Sequence, residues 1–284
     1  MKKDILKSIR FTVGGLLFLV IVSLGGMIFN SCQEEEIGGG SYTPPSGGIL
    51  DNPMDQYGIW HNQCLDKIIL SPDIAELTAD EAWMKYGEPF FISVLGNDYT
   101  PIPIGNYNAE FERVKTLINT HNLVSIVDDM AEEGLLNKGF TSPNITENNY
   151  TIMYKLFSYM DAILATPEDD YISLQEKIVE CEQQMLRNFY MLQYKGEMVQ
   201  GDVLYLEYEY SLIRISIAKN SGKYWALPPK GKSTEEAQRE YMIAADAAAR
   251  ADYQNYGFSG SEVQYSSYVS WDASSRFYSN CRPL

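Results

Sequence analysis

Hydrophobic residues recur at steps of three and four along most of this chain, the period of helices that bury one face. The clearest run is Tyr171, Leu174, Ile178, Cys181, Met185, Phe189 and Leu192, with Glu168, Asp169 and Asp170 placed for a first turn after Pro167. Upstream, Met153, Leu156, Phe157, Met160, Ile163 and Leu164 predict a helix over 150–165. Tyr57, His61, Cys64, Leu65 and Ile68 predict another, with Asn52 as N-cap, Pro53 in the first turn and Asp55 at the positive helix end. Ser71-Pro72 stops it, and Ser71 and Thr78 begin short helical stretches. Asn108 starts a helix with Phe111, Val114, Ile118 and His121 as its seam. Leu123 to Glu133 continues it, and Gly134 caps it.

Other stretches are less periodic. Pro89 to Pro103 holds a short apolar block, Phe90 to Leu95, then Gly96-Asn97-Asp98 and two prolines, and is expected to be a loop with a buried plug. Residues 203–217 alternate like a strand at Leu206, Tyr208, Tyr210 and Leu212, yet Val203, Leu206, Tyr210, Ile213 and Ile217 fit a helix. Length without a breaker favours the helix, with Asn220-Ser221-Gly222 expected to end it. Ser233 to Glu236 forms a capping box ahead of Ala237, Ala244, Ala245, Ala248 and Ala251. Small residues let helix axes come close, so this helix is expected at the centre. A last helix carries Tyr265, Val269, Ala273 and Phe277 as its spine. The expectation is all-α: one bundle-like domain of roughly six to nine helices over 49–284.

The N-terminus follows a different rule. Lys2, Lys3, Lys7 and Arg10 precede an uncharged run, Phe11 to Phe29, and then Ser31-Cys32. A basic start, an apolar stretch and a small residue before a cut form an export signal. The segment resembles a bacterial lipoprotein signal, with Ser31 in the small-residue position and Phe29 and Asn30 departing from the usual lipobox. That resemblance implies a signal over 1–31, cleavage before Cys32, and lipidation of Cys32. Gln33, Glu34, Glu35 and Glu36 resemble the tag that routes Bacteroidetes lipoproteins to the outer face of the outer membrane; the periplasmic face is the alternative. The uncharged run of 19 residues is also long enough for an uncleaved signal anchor. Residues 37–48, IGGGSYTPPSGG, have tether composition, so 32–48 forms the anchor, tag and linker.

Without residues 1–31 the chain keeps 18 basic and 37 acidic residues, a net −19. That charge argues against nucleic acid and against docking of the domain on anionic lipid. Membrane contact is therefore expected only through the lipid on Cys32. Cys64, Cys181 and Cys281 show no CxxC or metal-ligand spacing. Their apolar positions suit buried small hydrophobes, and one disulfide remains compatible with the sequence.

Candidate chemistry centres on His61, Asn62 and Asp66. Asn62 and Asp66 share a helix face, whereas His61 lies about a hundred degrees away, toward the apolar seam. That separation suits a buried histidine better than a base oriented by a carboxylate. Gly58, one turn earlier, suits close approach of another segment. A metal site would need His61, His121 and acids among Asp128, Asp129, Glu132 and Glu133, but no HExxH spacing exists. GxSxG, Walker and Rossmann glycine patterns are absent too, so no metal or cofactor is expected. Tyrosine is abundant, with 21 copies beside four tryptophans. Tyr208, Tyr224, Trp225, Tyr268 and Trp271 would offer a glycan or protein partner an aromatic surface if exposed; otherwise they are core.

The first helix spells N-P-x-D-x-x-G-x-x-H-N-x-x-L-D through Asn52, Pro53, Asp55, Gly58, His61, Asn62, Leu65 and Asp66. It resembles the opening motif of a group of secreted or lipid-anchored helical proteins of Bacteroidetes. Residues 218–225 and the alanine-rich helix look similar to later helices of that group. The resemblance implies location and helical class, and no activity. The functional expectation is a surface lipoprotein that binds a ligand or partner without catalysis. The alternatives are a hydrolase or metal-assisted enzyme around His61, and a structural envelope component.

Overall fold

The computed structural model describes residues 48–99, 101, 113, 116–132, 134–139, 142–165, 171–225, 264 and 266–272. Every regular element among them is helical, and none of these helices is long and apolar enough to cross a membrane. The major helices are α1 (Asp55–Ile69), α2 (Ala79–Ala82), α3 (Glu88–Leu95), α4 (Ser125–Glu132), α5 (Asn149–Ala165), α6 (Tyr171–Tyr194) and α7 (Val203–Trp225). A further helical segment covers 266–272. Helix α1 packs on α7, α7 on α6, α6 on α5, and α5 on α4.

The α6 seam forms as its spacing predicts: Leu174, Ile178, Cys181, Met185, Phe189 and Leu192 are all buried. Helix α5 buries Met153, Leu156, Phe157, Met160 and Ile163 against it. Helix α1 begins at Asp55, later than the expected cap at Asn52. Asn52 Oδ1 instead accepts from the Met54 N–H at 2.8 Å, leaving its amide free to reach two other helices.

Residues 89–95 are a correction: they are helical, not a loop. Thr78 caps α2 through a reciprocal box with Glu81, and the chain stays helical from Ala79 to Leu95. Its middle, Trp83–Gly87, is a π turn. Pro89 explains the widening. A proline has no N–H to donate and its ring collides with the carbonyl four residues back, here that of Lys85. The π turn accommodates that clash without ending the helix. Phe91 is buried as expected of a plug, while Ile92 is exposed.

Helix α4 is capped from another helix. Asp161 of α5 accepts the Leu123 N–H at 2.9 Å and the Val124 N–H at 3.3 Å. Its other end closes at Gly134 (φ +82°), where the Leu135 N–H reaches the Met130 carbonyl. His121 does not join the apolar seam; it is exposed and has φ +49°.

Helix α7 resolves the ambiguity of 203–217 in favour of helix and runs on past the expected stop to Trp225. Ser221 donates back to the Ile217 carbonyl at 2.8 Å, and Asn220 to that of Ser216 at 2.9 Å. Both side chains therefore bond within the helix. Gly222 is where α6 comes close: a Cβ there would lie 2.2 Å from Gln175 Oε1. Residues 211–218 are buried without interruption, which makes α7 the interior helix of the described fold. The expected centre at Ala237–Ala251 lies outside the described residues.

Candidate functional site

Four residues of the motif, Asn52, Asp55, Gly58 and Asn62, make contacts with α7. Asn52 Nδ2 donates to the Leu212 carbonyl at 3.2 Å. Asp55 sits against Ser216, with its Oδ1 3.0 Å from the Ser216 hydroxyl, and accepts from Asn220 Nδ2 at 3.1 Å. The Gly58 N–H donates to Ser216 Oγ at 3.2 Å. Asn62 Nδ2 donates to the Asn220 carbonyl at 2.6 Å. Residues 52, 55, 58 and 62 thus meet 212, 216 and 220; 55, 58 and 62 share one face of α1, and 212, 216 and 220 one face of α7. A Cβ on Gly58 would stand 2.4 Å from the Ser216 carbonyl oxygen, so glycine is what lets the two backbones come this close.

A charged triad closes one end of this seam. Lys219 Nζ lies 2.7 Å from Asp55 Oδ1 and 2.8 Å from Glu182 Oε1, and Glu182 also accepts from Asn52 Nδ2 at 2.8 Å. Glu182 is buried and Lys219 half-buried. Burial pushes the Lys219 ammonium down, but hydrogen bonds to Asp55 and Glu182 outweigh it and hold the group above the ordinary lysine range. Net stabilisation from such a triad is small, because desolvation offsets the attraction. Its effect is to fix α1, α6 and α7 in one register. Just upstream, Gln183 brackets Leu50: the Leu50 N–H donates to Oε1 at 2.7 Å and Nε2 donates to the Leu50 carbonyl at 2.9 Å. Tyr190 donates to the Asp51 carbonyl at 3.0 Å.

His61 is fully buried. The Asn62 amide is oriented by its bond to Asn220, so Oδ1 faces His61 Nδ1 at 3.1 Å and can only accept. Nδ1 therefore carries the proton, and Nε2, 3.0 Å from Ser270 Oγ, accepts from that hydroxyl. Both ring nitrogens are engaged with side chains. Asp66, the third member of the sequence cluster, lies half-buried on α1 and takes no part in these two bonds. Among the described residues, no three His, Cys, Asp or Glu side chains gather closely enough to hold a metal ion.

The 266–272 segment closes the opposite side. Trp271 is buried and donates from Nε1 to the Ala79 carbonyl at 2.9 Å. Tyr268 is buried, donates to Asp80 at 2.7 Å and meets Trp83 edge-on at 5.2 Å. Tyr208 is buried beside Phe189. The expected aromatic surface is therefore corrected at Tyr208, Tyr268 and Trp271, which are core: large rings cover apolar area, and the polar tips of Tyr268 and Trp271 find partners inside. Tyr224 and Trp225 end α7, and their side chains lie outside the described residues. Cys64 and Cys181 are free and buried, so they form no disulfide with each other. Burial raises both thiols, that of Cys181 to about 12, which removes the thiolate needed for reactivity. Cys281 and Cys32 lie outside the described residues.

Sequence reasoning missed Arg214, Glu182, Lys219 and Ser216. Arg214 is fully buried, with Nη1 3.4 Å from Ser266 Oγ. One signal was available: Ser216, Lys219 and Asn220 repeat the α1 spacing on a helix whose apolar residues run all round. Comparison with protein-family models, with curated proteins and with solved structures returns no match.

Proposed function

We propose that this chain is a lipoprotein, anchored through lipid on Cys32 and displayed on the outer face of the outer membrane by Gln33 to Glu36. In this reading its helical domain binds a glycan or protein partner without catalysis. The observation that carries the non-catalytic part is His61: fully buried, with both ring nitrogens bonded to neighbouring side chains. A general base must reach the proton it removes, and His61 and Ser270, the hydroxyl beside its Nε2, are both fully buried, so the pair is closed to a substrate arriving from solution. The binding part is supported by Tyr194, Val199 and Val203, which stand exposed around the α6–α7 connection. Large apolar side chains gathered in one short connection suit a partner contact.

The anchor is tested first. Cys32→Ala is expected to leave the precursor uncleaved. Replacing Glu34, Glu35 and Glu36 by alanine should keep lipidation and move the protein out of reach of added protease. Normal processing and surface display of Cys32→Ala protein would remove the lipoprotein reading. Protection of the unaltered protein from protease would favour the periplasmic face. Binding is tested by a glycan array and by pull-down with residues 49–284. Loss of a measured catalytic activity in His61→Ala protein of unchanged stability would replace the binding reading with an enzymatic one.

A further inference from the structure

The α6–α7 connection is built rigidly and turns apolar groups outward. Gly196 (φ +67°) and Gly201 (φ +85°) let the chain reverse, and Met198 between them is buried as a plug. Asp202 holds the turn from both sides: its carboxylate accepts the Val199 N–H at 2.9 Å and the Tyr205 N–H at 2.6 Å. The side chains presented by this turn are Val199 and Val203, 64% and 78% exposed. Tyr194 is exposed at the entry to the turn, and half-buried Tyr205 packs on Phe189 at 5.6 Å. Two valines held in water by a capped turn add little to the fold; what the turn fixes is their presentation. A face ordered in advance binds without the cost of ordering itself.

Charge narrows what the face would take. Arg187 and Lys195 are exposed, and Arg187 lies on the Tyr194 face of α6, two turns earlier. Arg187 bonds to the Gln184 side chain and Lys195 Nζ lies 5.9 Å from the Tyr194 ring centre; among the described residues neither pairs with a carboxylate. The acids of 187–203 are Glu197 and Asp202, and both are engaged within the chain, Glu197 by Asn144 and Asp202 as the cap. Glu209, beside Tyr205, is engaged as well. Asp51 lies at the edge away from the turn, where its carbonyl accepts the Tyr190 hydroxyl. In a chain of strongly negative net charge, this face therefore turns unpaired cations to solvent.

Resting on the binding reading above, we propose that Tyr194, Val199, Val203 and Tyr205, flanked by Arg187 and Lys195, dock a short apolar segment of another protein that carries Asp or Glu beside its apolar side chains.

Other occupants fit less well. A sugar would need aromatic faces and hydrogen-bond partners at the centre of the face, where the turn places two valines. A stable dimer needs roughly 20 to 30 residues a side, more than this turn offers. A twofold contact here would also set the same cations against each other.

A library of random peptides displayed on phage, selected on the full chain in detergent, tests the proposal. Selected peptides are expected to combine large apolar residues with Asp or Glu. In fluorescence anisotropy with the synthesised peptides, Val199→Asp and Val203→Asp should each weaken binding at least about tenfold. Val199→Ser combined with Val203→Ser repeats the test without adding charge. Arg187→Glu combined with Lys195→Glu should lose the acidic peptides and bind versions in which Lys replaces Asp and Glu, a rescue that misfolding would not produce. Selection of basic peptides, or binding indifferent to the valine substitutions, would overturn the proposal. So would a dimer of the full chain that the valine substitutions dissolve, because the face would then be a self-contact. A glycan that binds the unaltered and valine-substituted proteins alike, with no peptide selected, would keep the binding reading and remove this site. Absence of any ligand among peptides and glycans would remove both.

Discussion

Gly58→Ala is expected to destabilise the domain by about 3 kcal/mol, although alanine is the better helix former by about 1 kcal/mol. The new methyl would stand 2.4 Å from the Ser216 carbonyl oxygen, 2.5 Å from its hydroxyl and 2.6 Å from Asn220 Nδ2. A carbonyl in the middle of a buried helix cannot rotate away, so α1 must shift outward. That shift also lengthens the bonds from Asn52, Asp55 and Asn62 to α7. Chemical denaturation measures the loss. Gln63→Ala, at an exposed position on the same helix, is the control and should change stability by no more than about 0.5 kcal/mol. Equal effects from the two substitutions would mean that α1 and α7 are not in the close contact described.

Trp271→Ala should cost about 3 to 5 kcal/mol, the range for deleting a large buried aromatic side chain. The indole fills space beside α2 and donates to the Ala79 carbonyl. Trp271→Phe separates the two contributions. It keeps most of the apolar volume and loses the hydrogen bond, which is worth about 1 kcal/mol here because the Ala79 carbonyl still accepts from the Trp83 N–H. If alanine and phenylalanine cost the same, packing of the ring contributes nothing and the segment is held by other contacts. Loss of Trp271 should also expose neighbouring Tyr268 and Trp83, a change that tryptophan fluorescence follows.

Helical class was legible because period does not depend on partners. Met153, Leu156, Phe157, Met160 and Ile163 of the α5 seam and Leu174 to Leu192 of the α6 seam are buried as their spacing predicts, and His61 and Cys64 lie inward on α1 as expected. Misreadings arose where a distant segment decides the local outcome. Pro89 and the serine–glycine stretch at 220–222 are breakers on their own. In the folded chain a π turn accommodates the proline, while α6 packs over Gly222. Asn52 was legible as a helix start, but its amide is used between helices, and no local pattern announces that. Aromatic richness was equally ambiguous, since tyrosine suits a surface or a core with buried acceptors. The polar candidates were found only in part: the α1 half of the seam was visible as a motif, while its partners on α7 and α6 were hidden in ordinary helical sequence.

The bracket that Gln183 forms around Leu50 bears on how the domain carries mechanical load. Any pull on the chain arriving at Ile49 meets Leu50 first, where two hydrogen bonds to a single glutamine must break together. Next in line are the Tyr190 bond to Asp51 and the Glu182 bond to Asn52. All three receiving side chains belong to α6, so tension is handed sideways to the middle of a long packed helix before it reaches the first turn of α1. Tension on the chain at Ile49 would then be borne in shear by several bonds at once, and α1 would not peel away from its end one turn at a time.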